Sequence, residues 1–323
     1  MSCIDLSNYN LRTDLIIENN SLIHEEKNID GIIITSTKKD GNYVTLSFDD
    51  ITDHDHFEKV MNTFSEVIKD ILILNKINSE ASCLIVGLGN RMSTPDSLGV
   101  KVLDNITVTA HLFELGSVSE GIRKVYGITP GVMASTGIET SRIITSLIKE
   151  IKPDFVIAID ALASRSVERI NKTIQITDTG IHPGSGIGNN RKEISKKTMN
   201  IPIIAIGVPT VVLSSTIVAD TIEYLYKHIS YIKDNEATNK LSYQKTNYKN
   251  KLKDKTLSKN EKENLLGLFG SLGEEEQRSL INEVLTKTEL NYIVTPTEID
   301  FLIDKLSNLI AKSLNNALHR QIN

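Results

Sequence analysis

The chain has only two cysteines in 323 residues, Cys3 and Cys83. That scarcity excludes a disulfide framework and any CxxC-type metal site. Cys3 lies in a polar terminus and Cys83 in an apolar run, so Cys83 reads as a small buried hydrophobe rather than a nucleophile. Long hydrophobic runs are missing as well: nothing approaches the ~20 apolar residues that cross a bilayer. The N-terminal segment carries Asp5, Arg12, Asp14 and Glu18 where a signal peptide would have its apolar core. The expected location is therefore a reducing cytoplasm. There is no excess of positive charge: a formal charge of −5 and a pI near 5.9 argue against a general nucleic-acid binder. Walker A, HExxH and GxSxG sequences do not occur.

What remains is a globular composition, 40% hydrophobic and 24% charged. The length suits one large domain or about two ordinary ones. Asp-Gly at 40–41, between the runs Gly31–Ser36 and Tyr43–Phe48, predicts a β-hairpin. Phe57, Val60, Met61, Phe64, Val67, Ile68, Ile71 and Leu72 recur at helical spacing. Strands are expected at 83–87, 123–128, 154–160, 171–177 and 201–208, the last ended by Pro209. Between and after them come a helix from near Pro95 capped by Thr94, one over Thr136–Ile151, and one from Pro209 to about His228. Such alternation of apolar strands with helices predicts an α/β fold with a mostly parallel sheet flanked by helices. Residues 1–30 read as polar and irregular. From Lys227 to Lys262 there are ten lysines against four acids and little apolar periodicity, which predicts a mobile insertion near 230–262. Helical patterns resume at Glu274–Leu285 and Glu298–His319, the second with the stripe Leu302, Leu306, Leu309, Ile310 and Leu314.

Two carboxylates stand where a parallel sheet delivers its chemistry: Asp96 in GLGNRMSTPDSLG and Asp160 in DFVIAIDALASR. Asp96, near a helix start, also has a plain role in offsetting the helix dipole. Asp160 follows Phe-Val-Ile-Ala-Ile, and a carboxylate buried there demands a partner or a function. Together they suit a proton-sharing dyad that activates water against a peptide carbonyl. They equally suit a divalent ion whose bound water attacks, with His182 as a candidate third ligand. The loop Gly180–Gly188, containing Gly184, Ser185 and Gly186, is rich enough in glycine to line a substrate cleft with backbone N–H groups. Ser185 lacks the nucleophile-elbow spacing. Arg165 and Arg169 are able to hold a carboxylate or to pair on a helix surface, and Glu139 has the same dipole role as Asp96. Gly87-Leu88-Gly89 opens like a dinucleotide fingerprint, but Met92 stands where the third glycine belongs. A nucleotide-binding protein without catalysis is thus the weaker alternative.

The segments GLGN, TPDSLG, TPGVMASTGIET, KPDFVIAIDALASRSVERIN, TIQITDTGIHPGSGIGN and PIIAIGVPTVV resemble the germination proteases (spore proteases) of spore-forming Firmicutes. The resemblance begins at Leu11-Arg12-Thr13-Asp14-Leu15 and reaches Val294-Thr295-Pro296 and the final helix. It implies an endopeptidase that initiates degradation of small acid-soluble spore proteins at germination, in the forespore and spore core. It also implies a homotetrameric zymogen that removes its own N-terminal propeptide, here residues 1–14, at the Asp14–Leu15 bond. The single domain 15–323 would then resemble the hydrogenase maturation peptidase fold, with the N-terminal hairpin and C-terminal helices added. The two essential aspartates of the family fall on Asp96 and Asp160. Both aspartic and metallo types have been considered for the family, so a divalent metal held by Asp96, Asp160 and His182 remains an alternative. Arg91-Met92 and Val100 depart from the common pattern, at positions expected to affect specificity rather than activity.

Overall fold

The computed structural model describes residues 15–16, 23–116, 118–183, 192–235 and 248–319. Its contacts divide the chain into two compact units. One consists of Leu11–Val211 with Thr295–Asn323, the other of Val212–Val294 with Met1–Asn10. Asp14, the rest of the expected propeptide, and Gly184, Ser185 and Gly186 lie outside the described residues.

The larger unit is built on a sheet of β1 (His24–Ile29), β2 (Ile32–Lys38), β3 (Asn42–Ser47), β4 (Cys83–Gly87), β5 (Val125–Ile128), β6 (Phe155–Ser164), β7 (Thr173–Thr177) and β8 (Ile203–Leu213). The strand order is β1-β2-β3-β7-β8-β6-β4-β5. The expected parallel centre is present: β5, β4 and β6 pair in parallel, with Cys83 opposite both Val125 and Phe155. Val156 N–H donates to Pro202 O, joining the starting ends of β6 and β8. On the other side β7 and the meander β1-β2-β3 extend the sheet with antiparallel pairs. The hairpin β2–β3 lies where Asp-Gly predicted it. β1 was not anticipated, because HEEKNI is polar and exposed throughout and owes its conformation to pairing with β2.

Alternate residues of the central strands feed two cores, as the period of two requires. Ile85, Ile157, Ile159, Ile174 and Ile206 face a layer made by the helices His54–Leu74 and Ile299–Leu318. The first of these carries the predicted stripe, with Asp53 accepting the N–H of His56 at its start. The second is tied to it where Ser313 Oγ donates to Met61 O at 2.9 Å. Leu84, Val86, Val156, Ala158 and Ala205 face the opposite way, toward Ile144 and Ile148 of the helix Thr140–Ile151. Burial of both faces explains the near-continuous apolar strands.

Several boundaries differ from expectation: the helix expected over Thr136–Ile151 is a short turn of helix at Met133–Thr136 followed by Thr140–Ile151, and the one expected from Pro209 to about His228 runs Ser214–Asn235. β6 runs on to Ser164 rather than stopping at Asp160, and β8 continues through Pro209 to Leu213. No single helix starts at Pro95: Thr94–Asp96 is a 3₁₀ turn, and the α-helix Leu98–Asp104 follows it. Thr94 is therefore not its cap, and Ser97 Oγ bonds back to Thr94 O at 2.8 Å.

The last two residues of β8, Val212 and Leu213, pair with β9 (Ile293–Val294) in the second unit. That unit is helical, with Ser214–Asn235, Tyr248–Leu252, Lys259–Leu266, Leu268–Ser271 and Glu274–Lys287. Part of the lysine-rich stretch is thus ordered helix. Leu252 and Leu257 are buried there, an anchorage that the weak periodicity had concealed, while residues 236–247 fall outside the described set. Among the described residues no helix is long and apolar enough to cross a membrane.

Candidate active site

The turn after β4 is held by close backbone approaches that only glycine permits. Gly89 has φ +106°, and a β-carbon on it would sit 1.9 Å from Asp96 O. One on Gly99 would meet Ile159 O at 2.3 Å and Leu88 O at 2.5 Å, and one on Gly87 would meet Gly99 O at 2.3 Å. The GLG pattern therefore serves to fold the chain against itself, and this accounts for two glycines without a phosphate. Leu88 N–H donates to Ile159 O at 2.8 Å, and Asn90 N–H to Asp96 O at 2.9 Å. Through these bonds the half-buried Asp96 is fastened to the strand that carries Asp160.

Gly87 is the last residue of β4 and pairs with Ile159. Asp160, the next residue of β6, therefore stands where the two strands part, at the carboxyl end of the parallel pair. It is 4% exposed, and its Oδ1 accepts the N–H of Ala161 at 3.0 Å. Thus the two predicted acids belong to one strand-end assembly, one on the sheet and one on the turn folded against it.

The remaining candidates are placed differently. His182 is exposed, and its Nε2 lies 4.0 Å from Glu193 Oε2. Among the described residues no group of three His, Cys, Asp or Glu side chains is close enough to hold a metal ion. The trio of Asp96, Asp160 and His182 does not assemble as such a centre. The glycine-rich loop begins at a clamp in which Ile181 and Ile194 exchange backbone hydrogen bonds of 2.9 and 2.8 Å. Gly184, Ser185 and Gly186, the expected cleft residues, are outside the described set. Arg165 is exposed and precedes the 3₁₀ turn Val167–Arg169, of which the half-buried Arg169 is the last residue. Glu139 stands at the N-cap of the helix Thr140–Ile151, in keeping with a dipole role. Cys83 is fully buried, and desolvation drives its thiol far above the usual range, so it supplies no thiolate.

Two polar residues outside the expected set, Thr210 and Gln175, make defined hydrogen bonds in the same unit. Thr210 Oγ1 donates to Pro95 O at 2.7 Å, and Thr210 O accepts from Thr295 Oγ1 at 2.8 Å. The Thr-Pro-Asp turn is thereby tied to β8 and to the start of the C-terminal segment. Gln175 is 1% exposed, and its Oε1 receives the N–H of Leu15 at 2.8 Å. Polar-apolar alternation in Thr-Ile-Gln-Ile-Thr was the available signal for Gln175. Thr210 has none, since Pro209 signals the end of a strand.

Sequence comparisons with known proteins agree on the family of this chain. A family model described as germination protease matches residues 18–323. The germination protease of Bacillus velezensis (strain DSM 23117 / BGSC 10A6 / LMG 26770 / FZB42) is 46% identical, over 99% of this chain and 96% of its own. That of Bacillus cereus (strain ATCC 10987 / NRS 248) is also 46% identical, with the same coverage. Among solved structures, the [NiFe] hydrogenase maturation protease HycI from Thermococcus kodakarensis KOD1 is 20% identical. It covers 45% of this chain and 80% of its own at a TM-score of 0.28, a likeness that carries no argument. The α/β chain is accordingly a peptidase. It belongs to the germination protease family.

Proposed function

We propose that the protein is an endopeptidase in which Asp96 and Asp160 share one proton and activate a water molecule between them. The observation behind this reading is the position of Asp160, a buried carboxylate at the parting of β4 and β6, beside the turn that presents Asp96. Two close carboxylates resist simultaneous ionisation, so the pair holds a base and an acid at once. The ionised acid takes a proton from water as its oxygen attacks the scissile carbonyl, while the protonated one donates to the carbonyl oxygen. Collapse of the tetrahedral intermediate returns a proton to the leaving amine.

The proposed substrates are small acid-soluble spore proteins in the germinating spore, and the proposed location is the forespore and spore core. We further propose a homotetrameric zymogen that cuts its own Asp14–Leu15 bond, with residues 1–14 blocking the cleft until then. The N–H of that bond belongs to Leu15 and is the one received by Gln175.

Asp96→Asn and Asp160→Asn, each assayed for self-cleavage and for cleavage of a small acid-soluble spore protein, are expected to lose at least ~10²-fold in rate. Near-normal turnover by either variant would reject the pair. After exhaustive dialysis against EDTA, with residual metal quantified, turnover is expected to persist. Loss of turnover restored by one divalent ion would replace the dyad with a metal centre.

A further inference from the structure

Leu15 is docked in a seat built from three adjacent strands. Its N–H goes to the buried Gln175 of β7, and its Cδ1 lies 3.2 Å from where a β-carbon on Gly207 of β8 would stand. Leu162 Cδ1 of β6 closes over the same glycine, at 2.3 Å from that point. Gln175 and Gly207 are direct partners in the β7–β8 ladder. Leu162 lies two residues beyond Asp160 on the same strand and so shares its face of the sheet. Leu15 packs on the core of that face while remaining half-buried itself.

This floor is an unusual choice for a structural leucine. Burying a primary amide is costly unless its polar atoms are bonded, and an apolar residue at 175 would serve a purely hydrophobic contact better. A glutamine carbonyl there receives a main-chain N–H, which every peptide offers. The hollow over Gly207 accepts one large apolar side chain, which only some peptides offer. Main-chain capture combined with a side-chain hollow is how extended peptides are read.

We propose that the Gln175–Gly207–Leu162 seat is a substrate subsite beside Asp160, specific for a large apolar residue of an extended polypeptide, and that Leu15 fills it in the unprocessed chain. The proposal rests on the reading of Asp160 as catalytic, and its test is made independent of catalysis. A fluorescent synthetic peptide of residues 15–22 of this chain, N-acetylated so that Leu15 keeps an amide N–H without the Asp14–Leu15 bond, is the probe, and its binding to the full-length protein is followed by anisotropy. Leu15→Gly in the protein empties the hollow over Gly207, removing the apolar anchor that holds residue 15 on Gln175, and is expected to tighten binding about tenfold or more relative to the wild type. Adding Gly207→Ala should abolish the gain. Two altered probes, with Leu15 replaced by glycine or with the Leu15 amide N-methylated, should bind no better to the Leu15→Gly protein than to the wild type. These probes leave the protein's folding untouched. Equal binding of the unaltered probe by wild type and Leu15→Gly would overturn the subsite, as would a lowered melting temperature with no gain in binding. The same titration on Asp160→Asn proteins is expected to give the same pattern. If that variant also retained turnover, the catalytic reading would fall and the seat would stand as a peptide site alone.

Discussion

Gly89 holds φ +106° with the carbonyl oxygen of Asp96 in the space a side chain would need. Gly89→Ala must therefore push the Thr94–Asp96 turn away from β4, against a backbone strain of about 1–3 kcal/mol. On the proposed mechanism, turnover is expected to fall at least ~10-fold, as misplacement of a catalytic group by an ångström does. A variant with unchanged kcat would mean that this turn does not hold Asp96 in its working position. Cys83 gives a second check at this scale. With Cys3 replaced by serine, the native protein is expected to leave a thiol reagent unconsumed and to react only after unfolding, because desolvation keeps the Cys83 thiol protonated. The placement of the two acids at one strand end was legible in the sequence because a carboxylate after five apolar residues, or at the end of a glycine-rich turn, conflicts with its surroundings. Gln175 was not, since TIQIT reads equally well as a strand with one wet face, whereas every one of its residues is buried.

Among the elements, the long helix His54–Leu74 and the apolar strands were readable because burial imposes a period. Elements held by partners rather than pattern were not. β1 depends on β2, the second half of β6 continues through Ala-Leu-Ala-Ser, and β8 passes through Pro209, whose carbonyl accepts Asn171 N–H at 2.7 Å. The end of the last helix carries a pH dependence. At its C-cap, His319 Nδ1 accepts Arg123 N–H at 3.3 Å. Desolvation, reinforced by the charge of Arg123, keeps this histidine below its ordinary range near 6.5. A depressed value means that the fold favours the neutral ring, so the contribution is present above the ordinary histidine pKa and is lost as pH falls through the folded one. The melting temperature is expected to drop between about pH 7.5 and 5.5, and less so in His319→Gln. Equal drops in both proteins would assign the effect elsewhere.

At the scale of the molecule, the two units differ in what orders them. Both extensive apolar cores belong to the unit of the sheet. In the unit of Val212–Val294 the buried groups include Asp220, Ser230 and Gln277, and Arg278 links Asp220, Glu223 and Glu274 at 2.9, 3.5 and 3.3 Å. Arg278→Met is expected to cost about 1–3 kcal/mol, less than for a sealed ion pair because the guanidinium is partly open to water. Calorimetry should place this loss in one transition, shared with high salt and distinct from the one shifted by Phe64→Ala in the apolar core. A single transition moved equally by both variants would mean that the units melt together. Sequence composition gave the lysine excess of this region but not its helices, whose anchors Leu252 and Leu257 are too sparse to make a period. The parting of β4 from β6 has a mechanical side. Asp160 belongs to β6, a long strand that lies between β8 and β4 in the sheet, while Asp96 hangs from a turn of three residues. On the proposed mechanism, accommodation of an incoming chain falls to one jaw: amides of 90–96 should exchange with deuterium far sooner than those of 156–160, and ligand binding should slow the former while leaving the latter as they were.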